Sequence, residues 1–228
     1  MNKIGFIGVY DKTDLILCIA KVLKMTGKKV LIVDATTTQK CKYVVPVINP
    51  TVSYITEFEE IDVAIGFNNF EEIRRYIGLE DNEGLEYDYV LIDIDAYDKI
   101  IGFQLSNADK LFYITSFDVY SLKKGIEILN QLKEPLKMTK IFYSKEMLKE
   151  EEEYFDYLAL GAKAEWNEDK IYFLLENGDY SAIIENQRLE KIKFKNLSNE
   201  YRENVIYLVN KIDDKIGERT IRGIIKNL

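Results

Sequence analysis

The 228-residue sequence has no histidine, only two cysteines and only three prolines. Without histidine, catalysis by a His-based dyad or triad is excluded, and most zinc and haem sites lose a usual ligand. Cys18 and Cys41 show no CxxC spacing, which argues against iron–sulfur clusters and a disulfide framework. We therefore expect a reducing compartment, no metal site and no catalytic residue of the His-dependent kind.

Long apolar runs are also missing, since none approaches the roughly 18–20 residues that a membrane-spanning helix needs. The first residues lead directly into a strand-like segment of about six residues, which is too short for the core of a signal peptide. These features predict a cytoplasmic protein. A peripheral position at the inner membrane face is left open.

Positive charge is in deficit, because 39 acidic residues stand against 31 basic ones, for a formal net charge of −8. Such a surface repels a phosphate backbone, so we expect no nucleic-acid partner. Apolar residues make up 47% of the chain, which suffices for one well-packed core at this length. No repeat, linker or composition change divides the chain, and residues 1–228 are predicted to form a single domain.

Short apolar runs alternate with longer segments of helical periodicity, a pattern typical of parallel strands joined by crossover helices. The sequence predicts strands at 3–9, 29–34, 87–93, 110–115, 140–144 and 171–175, and helices at 13–25, 70–77, 122–132, 145–158 and 199–216. Together they predict an α/β fold: a doubly wound, mostly parallel sheet with helices on both faces. Residues 51–67 form either an extra strand or part of a crossover.

Four segments resemble motifs of one known family in their order and spacing. They are an apolar strand followed by Lys12-Thr13 and an apolar helix, KKVLIVD at 28–34, YDYVLID at 87–93, and ADKLFYIT at 108–115 followed by YSL at 120–122. Together they resemble the MinD/ParA family of P-loop ATPases, which carry a deviant Walker A motif. The resemblance covers most of the chain and implies a P-loop NTPase-like fold.

The resemblance also implies where a nucleotide site would lie. In the family, the Lys-Thr pair touches the phosphates and Mg²⁺, and aspartates stand at the ends of two strands. The matching residues here are Lys12, Thr13, Asp34 and Asp93.

The phosphate-binding loop departs from the family pattern. Only Tyr10 and Asp11 separate Val9 from Lys12, so the loop has no glycine whose backbone N–H groups could curl around a phosphate. Asp11 would also place a carboxylate beside an anionic ligand. This loop is therefore poorly suited to hold a nucleotide.

Three further positions depart in the same direction. Thr36 stands where the family has an Asp that places the attacking water, and Tyr97 stands where it has a glycine near the γ-phosphate. Tyr143-Ser144-Lys145 ends the strand that in the family ends in an adenine-reading Asn. We therefore predict a pseudo-ATPase with no catalytic residue and no cofactor.

An alternative stays open on the same residues. A divergent ATPase would bind ATP and Mg²⁺ through Lys12, Thr13, Asp34 and Asp93 and dimerise on nucleotide. A third possibility is that these four residues have only a structural role. Thr13 would then be the N-cap of the first helix, Lys12 would be solvated or ion-paired, and the aspartates would be inherited strand ends.

The C-terminal residues 215–228 carry a net charge of +3, whereas the rest of the chain carries −11. A helix over this tail would have an apolar side opposite a basic side. The apolar side would hold Ile221, Ile224, Ile225 and Leu228, and the basic side Arg219, Arg222 and Lys226. The tail predicts either weak contact with an anionic membrane surface or packing against the protein's own sheet or a partner subunit.

The resemblance implies a role as well as a fold. Family members place division sites, segregate DNA and localise pilus or secretion machinery. A member without ATP hydrolysis is expected to act as a positioning, localisation or assembly factor, through a protein partner or as a homodimer. This expectation rests on analogy, because fold does not fix function.

Overall fold

The computed structural model describes residues 1–47, 51–80, 83–146 and 149–228. Within them, eight strands alternate with nine α-helices. The strands are β1 Asn2–Ile7, β2 Val30–Asp34, β3 Tyr54–Phe58, β4 Ile61–Ile65, β5 Tyr89–Ile94, β6 Lys110–Ser116, β7 Leu136–Ser144 and β8 Ala164–Leu174. The helices are α1 Thr13–Met25, α2 Cys41–Val44, α3 Phe70–Tyr76, α4 Tyr97–Gly102, α5 Val119–Asn130, α6 Lys149–Leu158, α7 Asn177–Leu189, α8 Asn199–Ile212 and α9 Glu218–Asn227.

The strands form one sheet in the order β3-β4-β2-β5-β1-β6-β7-β8. β3 and β4 pair antiparallel, and the other neighbouring strands pair parallel. The chain leaves β1 toward β2 on one side and passes from β5 to β6 on the other. Such a reversal of direction leaves a crevice at the carboxyl ends of the central strands.

Hydrophobic cores lie on both faces of the sheet, as expected for strands that are apolar throughout. Residues of α1, α7, α8 and α9 pack into the core of one face, which we call the first core. Residues of α3, α4, α5 and α6 pack into the core of the other face, the second core. This arrangement confirms the predicted doubly wound α/β fold.

Each predicted strand and helix has a counterpart, but several bounds differ. β1 ends at Ile7 instead of residue 9, so Gly8 lies in the loop before α1, and the prediction that this loop has no glycine is wrong. Residues 51–67 contain two strands instead of one, and Glu59 and Glu60, both at positive φ, form the turn between them. β8 starts seven residues before its predicted beginning, because an edge strand tolerates a charged, exposed first half. The predicted helix 199–216 ends at Ile212, and α7 is not predicted at all.

The predicted helix 145–158 begins at Lys149, and its residues 147–148 lie outside the described residues. In the described part of the chain, no helix is both long enough and apolar enough to cross a bilayer.

Candidate functional site

A cleft of about 350 Å³ opens at the carboxyl ends of β1, β2 and β5. Asp34 of β2 and Asp93 of β5 are paired in register at this edge of the sheet. The cleft is lined by Val9, Tyr10, Asp11, Lys12, Thr13, Thr36, Thr38, Lys40, Tyr43, Asp93 and Asp95. The fold therefore brings the four predicted site residues together, three of them in the cleft wall and Asp34 beside Asp93.

The Lys12 side chain is buried beside this cleft, with only 2% of its surface exposed. Its ammonium nitrogen lies 2.6 Å from Asp93 Oδ1 and donates a hydrogen bond of 2.6 Å to the Gly8 carbonyl oxygen. The backbone turns here because Gly8 adopts a φ of +141°, and a Cβ on Gly8 would lie 2.0 Å from the Ile114 carbonyl oxygen. The ammonium thus has two oxygen partners within the protein.

The Asp93 carboxyl group is almost fully enclosed, with 3% of its side chain exposed. Burial raises the pKa of Asp93 to about 7, Lys12 opposes this shift, and nearby Asp34 adds to it. Removing either partner of such a pair would leave an uncompensated charge in a low-dielectric environment. Lys12 and Asp93 therefore depend on each other.

Thr13 is the first residue of α1, and its N–H donates to Asp11 Oδ1 at 3.1 Å. The N-cap position is occupied by Lys12, which makes no side-chain capping bond. The interpretation of Thr13 as the N-cap is therefore wrong. Lys12 is ion-paired with Asp93, one of the two states expected if it has only a structural role.

Asp34 binds the backbone of the segment that follows its own strand. Its Oδ1 accepts from the N–H of Thr36 at 3.1 Å and from the Thr36 hydroxyl at 2.6 Å. Its Oδ2 accepts from the N–H of Cys41 at 2.9 Å. Both carboxylate oxygens thus fix the chain between β2 and α2.

Two sets of polar contacts that the sequence did not predict hold the segment after β2 in place beside the cleft. In one, Asp95 accepts from the Thr37 N–H at 2.9 Å and from its hydroxyl at 2.6 Å. In the other, the Lys40 ammonium contacts Asp11 and lies 3.0 Å from Asp14. These partners lie 26 to 58 residues apart in the chain, so no local pattern signals them.

Solved structures resemble this chain along nearly its whole length, and three of them are described below. The MinD cell division protein of Aquifex aeolicus matches with a TM-score of 0.58 at 14% identity, covering 93% of this chain and 96% of that chain. A chain of the MinC:MinD cell division protein complex of the same organism gives 0.54 at 15%, with 100% and 95% covered. A putative plasmid partition protein of Borrelia burgdorferi gives 0.56 at 13%, with 94% and 99% covered.

The chain has the MinD/ParA fold. At these identities the likeness shows the fold alone. No protein-family model and no curated protein matches the sequence.

In this version of the MinD/ParA fold, an aromatic side chain stands where glycines of the phosphate-binding loop are expected. Tyr10 packs on Tyr143 with 4.9 Å between ring centroids, and Tyr143 stacks on Phe173 at 5.0 Å. Tyr143 is the residue that stands near the expected adenine-reading Asn. Two departures noted in the sequence therefore contact each other at the carboxyl edge of the sheet.

The other two departures occupy different surroundings. The Thr36 hydroxyl donates to Asp34 and accepts from the Gln39 N–H at 3.0 Å, so it stabilises a turn. Tyr97 begins α4, and its partly buried ring packs against the second core. In the part of the chain that the structure describes, Tyr97 does not line the cleft.

Helix α9 occupies most of the predicted C-terminal tail. Ile221 and Ile225 are buried in the first core, and Ile224 and Leu228 pack partly against it. The carbonyl oxygen of Leu228 also accepts from the Phe194 N–H at 3.2 Å. The apolar side of the tail thus packs on the protein's own core, while Arg219, Arg222 and Lys226 are exposed. Membrane contact stays a prediction.

The two cysteines are buried, and burial raises the pKa of both thiols. Within residues 1–47, 51–80, 83–146 and 149–228, no group of three or more His, Cys, Asp or Glu side chains has an arrangement that could hold a metal ion.

Proposed function

We propose that this protein is a pseudo-ATPase that acts as a positioning, localisation or assembly factor through protein–protein contacts. The observation that carries the proposal is the position of Lys12. The side chain that carries the ammonium group expected to meet phosphates is 2% exposed, and its nitrogen already lies 2.6 Å from both Asp93 Oδ1 and the Gly8 carbonyl oxygen. Binding a phosphate there would require breaking a buried ion pair.

The residues of the cleft fit a nucleoside triphosphate poorly. Asp11, Asp93 and Asp95 all line it, whereas Lys40, its other basic residue, is already paired with Asp11 and Asp14. Carboxylates so close to an anionic ligand repel it. The loop between β1 and α1 has one glycine, Gly8, whose N–H already donates to the Ile94 carbonyl oxygen at 3.0 Å, so it has no run of glycines to form a cradle of backbone N–H groups. Charge and backbone therefore both support the loss of nucleotide binding.

The similar structures support a role in protein contacts and also define the alternative. One of them is a MinC:MinD complex of cell division proteins, which supports a protein partner for this fold. The Borrelia plasmid partition protein was solved bound to AMPPNP, an ATP analogue. It supports the second candidate function, a divergent ATP-dependent switch that uses Lys12, Thr13, Asp34 and Asp93.

Isothermal titration with ATP, ADP and GTP plus Mg²⁺, up to millimolar concentration, tests the proposal, with thermal melting alongside. We expect no binding heat and no change in melting temperature. A ligand present at 100 times its dissociation constant would add about 2.7 kcal/mol of stability, which corresponds to roughly 5–11 °C at this size. Saturable heat with such a shift would contradict the proposal.

A pair of variants locates any heat that is observed. Thr38→Glu adds a carboxylate to the exposed cleft wall, and Ser181→Glu adds one to the exposed surface of α7 as a matched control. Heat that disappears only in Thr38→Glu would establish a nucleotide in the cleft and favour the ATP-dependent switch.

The positioning role has its own test. A fluorescent fusion of the full chain, expressed in its native host at the native level, is expected to concentrate at discrete sites. Uniform fluorescence would argue against a positioning factor, whatever the titration shows.

A further inference from the structure

Two helices each carry an exposed row of four residues with the same spacing, and the two rows have opposite charge. In α6, the acidic stripe consists of Glu150, Glu153, Tyr154 and Tyr157. In α9, the basic stripe consists of Arg219, Arg222, Gly223 and Lys226. Both stripes have the spacing i, i+3, i+4, i+7, which places the four positions on one side of a helix. All eight positions are exposed.

The opposite side of each helix is held in a core, so the stripes cannot turn inward. Phe155 of α6 is fully buried in the second core. Ile221 and Ile225 of α9 are buried in the first core. Because the two cores lie on opposite faces of the sheet, the acidic stripe and the basic stripe of one molecule cannot meet. A contact between an acidic stripe and a basic stripe must therefore join two molecules.

We infer that the acidic stripe of one copy of this chain binds the basic stripe of a second copy. Both helices have ten residues and are therefore about 15 Å long, so they match in length. In an antiparallel arrangement, Glu150 meets Lys226 and Tyr157 meets Arg219. The second pair adds a cation–π contact between the guanidinium group and the phenol ring.

The surface of α9 has room for the tyrosine side chains. Gly223 has no side chain, and nothing lies within 4 Å of the place where its Cβ would be. Tyr157 is 68% exposed, and Leu160, just beyond α6, is 82% exposed. A helix docked on α6 would cover this apolar surface, which supplies association energy beyond the charges.

Three of the five charged residues of the stripes have no ion pair among the described residues: Glu150, Arg219 and Lys226. The other two are paired within the molecule, Glu153 with Lys149 and Arg222 with Glu203 and Glu218, so the contact depends on the unpaired three. The chain outside residues 215–228 carries a charge of −11. The basic stripe is therefore a local site of attraction for an acidic helix on an otherwise repulsive surface.

This contact joins two different surfaces, so it is heterologous and can add further copies, as an open chain or, where the rotation between copies closes, as a ring. Each exposed ion pair contributes only about 0–1 kcal/mol, so the association is weak, concentration-dependent and sensitive to salt.

Sedimentation velocity of the full chain over a range of concentrations tests the inference. At low ionic strength, the average sedimentation coefficient is expected to rise steadily with concentration. In about 0.5 M NaCl the rise is expected to vanish, because salt screens exposed charges. A coefficient independent of concentration at low salt would overturn the inference.

Charge reversal identifies the surfaces. Glu150→Lys with Glu153→Lys, and separately Arg219→Glu with Lys226→Glu, should each abolish the rise. A chain with all four substitutions should regain it, since its stripes are complementary again with the signs exchanged. If the fourfold variant does not fold, an equimolar mixture of the two double variants makes the same test.

A matched control reverses two exposed acidic residues elsewhere, Glu57→Lys with Glu134→Lys. It changes the net charge as much as the α6 variant does and should leave the association intact. Loss of association in this control, or no recovery in the fourfold variant and the mixture, would refute the contact between α6 and α9.

Discussion

The ammonium nitrogen of Lys12 lies 2.6 Å from Asp93 Oδ1, and both side chains are almost fully buried. Asp93→Asn alone is therefore expected to lower the free energy of unfolding by about 3–5 kcal/mol, because the Lys12 charge stays buried without its partner. Lys12→Met should also lower it, because Lys12 opposes the raised pKa of Asp93 and without it the buried carboxyl group takes up a proton. The double variant Lys12→Met/Asp93→Leu should recover most of this loss. Urea denaturation measures the free energy of unfolding of all three variants.

Lys133→Met serves as the control for this pair, since Lys133 is exposed and its replacement should change stability by no more than about 0.5 kcal/mol. Single variants as mild as this control, or a double variant as unstable as the singles, would show that the pair is not coupled.

The raised pKa of Asp93, about 7, has a consequence for stability. An unfolded Asp has a pKa of about 4, so between pH of about 4 and about 7 the native state binds more protons than the unfolded state. The contribution of Asp93 to the free energy of unfolding therefore falls as the pH rises through this range. The direct measurement is an NMR titration of the Asp93 carboxyl carbon, with a midpoint expected near neutral pH.

Asp118 is the internal control for that titration. Burial alone would raise its pKa, but hydrogen bonds from Ser116 and Ser121 hold the pKa of Asp118 below its usual value. Its carboxyl carbon should change at acidic pH in the same spectra. An Asp93 midpoint as low as that of Asp118 would contradict the assignment of burial as the dominant effect.

At the scale of elements, α9 tests whether the C-terminal tail belongs to the core. Ile221 is fully buried, so Ile221→Ala is expected to lower the free energy of unfolding by about 2–5 kcal/mol in the absence of any lipid. Arg219→Ala on the exposed side should change it by no more than about 0.5 kcal/mol. Thermal melting compares the two, and equal, small effects would mean that α9 does not pack as described.

At the scale of the whole molecule, the two cores share one sheet, and residues 1–228 are predicted to unfold as a single domain. Trp166, the one tryptophan, packs against Phe155 and Tyr113 at the second core. Its fluorescence therefore reports on one face, while circular dichroism reports on all helices. The two signals should give the same urea midpoint, whereas separate midpoints would indicate that the faces unfold independently.

The fold was predictable because the buried strands of a parallel sheet are continuous apolar runs, and the helices between them have their own periodicity. These are local signals, readable in a single segment such as KKVLIVD at 28–34. α7 escaped prediction because few of its side chains are buried, so it has no clear apolar face. The hairpin of β3 and β4 escaped because Glu59 and Glu60 adopt positive φ without a glycine to mark the turn.

The sequence by itself determined the α/β fold and the positions of Lys12, Thr13, Asp34 and Asp93, because motif order is written in the chain. Only the tertiary structure decided what those residues contact. The Lys12–Asp93 ion pair and the hydrogen bonds from Thr37 to Asp95 join residues far apart in the chain. They exist because parallel strands place their carboxyl ends at one edge of the sheet. The burial of the Lys12 and Asp93 side chains is likewise a property of the packed molecule.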